Sequence, residues 1–103
     1  MAQRAVVENA VSKTSNPWFI YVILCENESF YVGATSDVRK RFAEHLSGQG
    51  ARWTKFNKPV RIVHHEEFAT SDEAFAREKE LKTGFGRKWI RREFEKDRLK
   101  GLD

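Results

Sequence analysis

Residues Trp18 to His45 read WFIYVILCENESFYVGATSDVRKRFAEH, and the fold follows from how this stretch is parsed. Phe19 to Leu24 is aromatic and β-branched, the composition of a strand. Glu26 to Ser29 is polar enough for a hairpin turn, and Phe30 to Val32 returns as a second strand. Gly33 then permits either a special backbone angle or the close approach of another group. A helix follows. Thr35 or Ser36 is the expected N-cap, with Asp37 at the positive end of the helix dipole. Val38, Phe42 and Leu46 form its apolar stripe, and it stops before Gly48.

Four polar groups ride on this hairpin and helix: Tyr21, Tyr31, Arg41 and His45. Side chains alternate along a strand, so the two tyrosines share a face only if paired residue numbers sum to an even value. Pairing Leu24 with Tyr31 separates them. Pairing Ile23 with Tyr31, or inserting a bulge, brings them together, and that is the expected arrangement. Arg41 and His45 are spaced i, i+4 and stack on one side of the helix, leaning towards the protein body, whereas Arg39, Lys40 and Glu44 lie more outward. Each residue also has a plain packing role open to it. Strand tyrosines fill half-buried faces, and an arginine and a histidine can snorkel at a helix edge.

The remaining chain extends this unit. Residues 1–17 are small and polar with scattered valines and read as a frayed helix or, as expected here, a flexible N-terminal tail, closed by Ser15, Asn16 and Pro17. The domain is placed at 18–99, with 100–103 as a C-terminal tail. Ser47 to Pro59 reads as a basic, glycine-containing loop carrying Trp53 and Phe56. Val60 to Phe68 reads as a third strand. Thr70 and Glu73 have capping-box spacing for a second helix running towards Lys82, and Gly84 and Gly86 break it. A basic third helix begins near Arg87, with Trp89, Ile90 and Phe94 as its buried side, and fades at Gly101. The order ββαβαα predicts an α+β fold, a small antiparallel or mixed sheet covered by helices.

At 103 residues the chain is one domain with enough apolar content (40%) for a single core. The net charge of +4 fits a polyanionic partner but is weak evidence by itself. Its distribution says more. From Arg39 to Arg61 there are seven basic residues and one acid, a local +6, and Arg39, Lys40, Arg52 and Lys55 are the candidate nucleic-acid contacts. Cys25 is the single cysteine, which excludes an intramolecular disulfide and fits a reducing compartment. Set among Ile23, Leu24 and Phe30, it reads as packing rather than nucleophile. No apolar run approaches a membrane span, and Glu8, Asn9 and Lys13 interrupt any signal-peptide centre. A cytoplasmic protein is the expectation.

Glu78 is the most informative residue outside the opening stretch. Its helical neighbours Ala74, Phe75 and Leu81 place the carboxylate in the apolar stripe, where it needs a cation. Arg41 or a hard divalent ion such as Mg2+ would serve, the ion keeping most of its waters and completing its shell with substrate phosphate. Carboxylate and metal, arginine, and a tyrosine or histidine for protons are what phosphodiester hydrolysis requires. A tyrosine is a weak base at neutral pH unless nearby positive charge lowers its pKa, a task for Arg41 and the metal.

FIY (Phe19 to Tyr21) and YVG (Tyr31 to Gly33), some ten residues apart, together with DVRKRFAEH, GQGARWTK, the Pro59-Val60 strand and AREKELKTGFGRKW, resemble the GIY-YIG endonucleases. The resemblance covers Trp18 to about Phe94. It is nearest to the small stand-alone bacterial branch related to the UvrC N-terminal domain and the Slx nucleases. It implies a three-stranded antiparallel sheet flanked by helices and Mg2+-dependent DNA strand cleavage, with Mn2+ as a substitute metal. It makes Tyr21 and Tyr31 the motif tyrosines, Arg41 the helix arginine, His45 the histidine of some branches, and Glu78 the metal-binding glutamate. Phe19 stands where the first glycine would be, and no asparagine follows Asn57 to fill a late role seen in some branches. The expected function is a metal-dependent DNA endonuclease acting on branched, damaged or single-stranded substrates, with repair as one setting and RNA as an alternative substrate. A nucleic-acid-binding module of the same fold without cleavage is the competing reading, and a protein-interaction domain a third. So small a domain has no obvious second unit to choose a substrate, which implies low intrinsic activity; a targeting protein partner and a monomer or weak dimer are the further expectations.

Overall fold

A computed structural model describes residues 16–102, with side chains through residue 97; the expected N-terminal tail lies almost entirely outside them. Three strands, β1 (Trp18–Cys25), β2 (Phe30–Thr35) and β3 (Pro59–Phe68), form one sheet in the order β2-β1-β3. Both pairings are antiparallel, which resolves the earlier choice between an antiparallel and a mixed sheet. Four helices pack around it: α1 (Val38–Leu46), α2 (Arg52–Phe56), α3 (Ser71–Leu81) and α4 (Gly84–Leu102).

The hairpin closes through a short turn in which Cys25 N–H donates to Ser29 O at 2.9 Å and Asn27 Oδ1 accepts from Ser29 N–H and Oγ–H. The register pairs Ile23 with Tyr31 and Tyr21 with Gly33. This is the even-sum pairing, and it places both tyrosines on one face. Alternation along β1 divides the core in two. Ile20 and Val22 pack with Val32, Ala74, Leu81 and Ile90 under α3 and α4. Tyr21, Ile23 and Cys25 form the second cluster with Val38, Phe42, Ile62 and Tyr31 under α1. Cys25 is buried in that cluster, as its apolar neighbours suggested.

Several local readings need correction. The N-cap of α1 is Asp37, whose carboxylate accepts from Lys40 N–H at 3.0 Å, rather than Thr35 or Ser36. Thr35 acts one step earlier, its hydroxyl accepting from Asp37 N–H. The buried stripe of α1 is Val38, Phe42 and His45, with Leu46 48% exposed. Position 45 can be buried because both ring nitrogens are hydrogen-bonded, which removes the penalty that would otherwise favour leucine. Finally, the basic segment expected as a loop contains α2, a five-residue helix whose buried residue is Thr54. So short an element has no apolar period to announce it.

The Thr70–Glu73 capping box forms as expected. α4 starts at Gly84 rather than near Arg87. Gly86 permits tight packing there: a Cβ at this position would stand 2.5 Å from Leu81 Cα. The backbone of α4 kinks at Phe94, where it leaves helical geometry, and is helical again through Leu102.

Candidate active site

Tyr21 from β1 is 2% exposed and lies across the backbone of its partner Gly33. A Cβ on Gly33 would sit 2.5 Å from Tyr21 Cζ. Close approach, not a positive φ, is therefore why a glycine stands there. Tyr31 is two residues away on the same face, the two rings 6.4 Å apart.

His45 from α1 completes a triangle, its ring 5.7 Å from Tyr21 and 5.1 Å from Tyr31. Its Nε2 is 2.8 Å from Tyr21 Oη, and its Nδ1 is 2.6 Å from Thr54 Oγ1. Thr54 donates its hydroxyl proton to Ala51 O at 3.1 Å and accepts from Ala51 N–H. With that proton committed, Nδ1 carries the imidazole hydrogen and Nε2 accepts from the Tyr21 phenol. Gly50 lets the chain lie against the ring, since a Cβ there would come within 2.7 Å of His45 Cγ.

The electrostatics follow from burial. Desolvation, reinforced by the Arg41 charge, lowers the His45 pKa to about 4, so the imidazole is neutral at pH 7. Desolvation also pushes Tyr21 up to about 12. The Arg41 guanidinium pulls Tyr21 down, as expected, but burial outweighs it. In the protein alone, Tyr21 is a protonated phenol whose proton is already aimed at an acceptor.

Arg41 is half-buried and pairs with Glu44 at 2.9 Å. Glu78 does not meet Arg41. It pairs with Lys82 one helical turn on, at 3.0 Å, with 23% of its side chain exposed. Lys82 Nζ also stands 5.4 Å over the Tyr31 ring, linking the α3 carboxylate to the tyrosine pair. Because β2 is an edge strand, the end of α3 reaches side chains of that strand although the helix packs through Ala74 and Leu81 on the other face. The Glu78 charge is felt at Tyr21, where it opposes ionisation of the phenol.

The structure thus gathers Tyr21, Tyr31, Arg41 and His45, with Glu78 adjoining them through Lys82. Arg39, Lys40, Arg52 and Lys55 are exposed on α1 and α2 outside this cluster. Arg52 and Lys55 lie over the ring of Phe56, which is 71% exposed. Three members escaped the sequence reading. Lys82 was detectable from its i+4 spacing to Glu78. Thr54 and Gly50 lie in the GQGARWTK stretch of the resemblance, but no periodicity or spacing assigns them to the site, since only the tertiary fold turns them towards His45.

No group of three or more His, Cys, Asp or Glu side chains suited to a metal occurs among the described residues. The donor set at Glu78 is one partly exposed carboxylate. That fits Mg2+, which binds through one or two carboxylates and retains water, and does not fit a closed zinc site. A divalent ion would take over the charge role of Lys82.

Residues 17–91 match the GIY-YIG catalytic domain, and the chain belongs to this nuclease family. Its relatives include small proteins named UPF0213. One from Cupriavidus necator is 46% identical over 65 residues, covering 63% of this chain and 71% of that one. Another, from Staphylococcus aureus, is 41% identical over 73 residues, covering 71% and 89%. A solution structure of the UPF0213 protein of Bacillus halodurans has 32% identity and a TM-score of 0.43, covering 82% of this chain and 86% of that one.

Proposed function

We propose that the protein is a metal-dependent endonuclease that hydrolyses DNA phosphodiester bonds at the Tyr21–Tyr31–His45 cluster. The observation that carries this reading is the buried hydrogen bond from Tyr21 Oη to His45 Nε2. A tyrosine so placed can take a proton from an attacking water while passing its own to the imidazole, so a free tyrosinate never accumulates. The oxygen of that water forms the new bond to phosphorus, and the bond to the leaving oxygen breaks. Arg41 supplies fixed positive charge where the transition state becomes more negative. A phosphate approaching Arg41 also offsets the charge that helps hold the His45 pKa low, so substrate binding makes the imidazole a better acceptor. Tyr31, whose ring lies 5.4 Å from Lys82 Nζ, would touch substrate.

Glu78 would hold the Mg2+ ion, which when bound stabilises phosphate charge and the leaving oxygen; Mn2+ would substitute. Arg39, Lys40, Arg52 and Lys55 would bind flanking backbone. The setting is cytoplasmic, repair is the process such cleavage would serve, and a protein partner would supply substrate choice.

Labelled single-stranded, duplex, flap and junction DNAs, with matching RNAs, test the reading in Mg2+ or Mn2+ against Glu78→Ala and Tyr21→Phe. Cleavage lost in both variants is the expected result. Cleavage unchanged in Glu78→Ala would place the activity elsewhere. Binding without cleavage in either metal would identify a binding module instead.

A further inference from the structure

Beside Tyr31 the surface opens into a cleft of about 350 Å3 between β2, the end of α3, α4 and Trp53 of α2. That volume lies at the small end of ordinary ligand sites. Val32 and Leu81 give it an apolar floor, Lys82, Arg87 and Arg91 a cationic rim, and no acidic residue lines it. Arg87 and Arg91 are one turn apart on α4, exposed, and without an ion pair among the described residues. Arg41, Arg61 and Arg77 are all paired with carboxylates.

Trp53 forms one wall. It is 47% exposed, yet its indole N–H donates to Ser29 Oγ at 3.1 Å, and Ser29 Oγ–H donates to Asn27 Oδ1 at 2.6 Å. An exposed indole tethered to a hairpin turn by a hydrogen bond is a plane held in place before anything stacks on it. Bases within a duplex have both faces covered by their neighbours, so such a plane is useful to an unpaired base.

We infer that this cleft holds one unpaired nucleotide of a DNA strand beside the tyrosine cluster, its base on Trp53 and its phosphates on Arg87 and Arg91. The cleft makes the protein selective for single-stranded segments. This deepens the proposed nuclease reading by giving its substrate class, but the binding itself does not require cleavage.

Fluorescence anisotropy in EDTA separates the two. The probes are a fluorescein-labelled oligothymidylate of about 12 nucleotides and a blunt duplex of equal length. Wild type should bind the single strand about tenfold more tightly than the duplex. Trp53→Ala and Arg91→Ala should each lose about tenfold on the single strand and under about twofold on the duplex, with Trp53→Phe retaining most affinity. Arg39→Ala, outside the cleft, should weaken both probes alike. Thermal unfolding checks that the variants fold, and an Arg87→Ala/Arg91→Ala pair on exposed positions replaces Trp53→Ala if that variant does not. Equal binding of both probes by wild type, or equal losses on both in the cleft variants, would overturn the proposal. Strand selectivity without Mg2+-dependent cleavage would sink the nuclease reading and leave the cleft standing. Cleavage without strand selectivity would do the reverse.

Discussion

The two faces of the sheet each carry a histidine network, buried at His45 and partly exposed at His64, and the two are built on opposite principles. Under α3 and α4, His64 Nε2–H donates to Glu66 at 2.8 Å, and Arg77 grips the same carboxylate through Nε and Nη2. Arg77 also bonds Glu80 and lies 5.4 Å over Trp89, while the His64 ring packs against Trp89 and Phe94. Charges there are compensated, and hydrogen bonds from His64 and Arg77 hold the Glu66 pKa down to about 2. That network ties β3, α3 and α4 together. Under α1 and α2, His45 has no carboxylate partner. Its ring nitrogens meet hydroxyls, and burial leaves it neutral. A closed ion network resists change, whereas a neutral imidazole bonded to a phenol can move a proton. On the proposed reading, one face is built for holding and the other for chemistry.

Substitutions test that division, and the largest effect is expected in catalysis. Tyr21→Phe removes the proton path and should lower single-turnover cleavage by about 100-fold or more, the usual scale for a positioned acid–base group. Residual cleavage near wild type would move the proton role to Tyr31. Gly33→Ala should come next. Its Cβ would overlap the Tyr21 ring, and the overpacking should cost about 1–3 kcal/mol in urea unfolding while also reducing cleavage. A fully stable, active Gly33→Ala would show that the close packing is dispensable.

Acid should then distinguish the two networks. The folded pKa of His45 is about 4, below the ordinary value near 6.5, so between these values the unfolded chain binds the extra proton. Stability should therefore fall as pH drops from about 6.5 to 4, by about 3 kcal/mol at most, and His45→Gln should flatten this window. Glu66 is depressed from 4.5 to about 2, so its contribution should be lost in the separate, lower window between those values. The smallest effect is expected from Arg77→Ala. Losing the partner of a partly exposed carboxylate should cost about 1–2 kcal/mol and leave cleavage per folded molecule unchanged. Loss of cleavage in that variant would show that the faces are coupled.

Much of this is legible in the order of residues along the chain. Alternation in β1 and β2, the even-sum register, the Thr70–Glu73 box and the glycine at position 33 are local signals, set by a period of two or by spacing within one turn. The site was legible where a polar residue broke such a pattern, as at Glu78 between Ala74 and Leu81. The stripe of α1 was misread at His45 because an imidazole looks polar until both nitrogens are known to be satisfied. α2 was missed because five residues cannot display a helical period.

By itself, the sequence determined the strand–turn–strand–helix unit, left the sheet antiparallel or mixed, and favoured the register that puts both tyrosines on one face. Tertiary structure decided which partners those residues meet. Lys82 rather than Arg41 faces Glu78, Thr54 orients His45, and burial sets the Tyr21 and His45 pKa values in opposite directions. The reason is range. Strand alternation and helix capping act over a few residues and are written in the chain order, whereas desolvation and charge act through space between elements that only folding brings together.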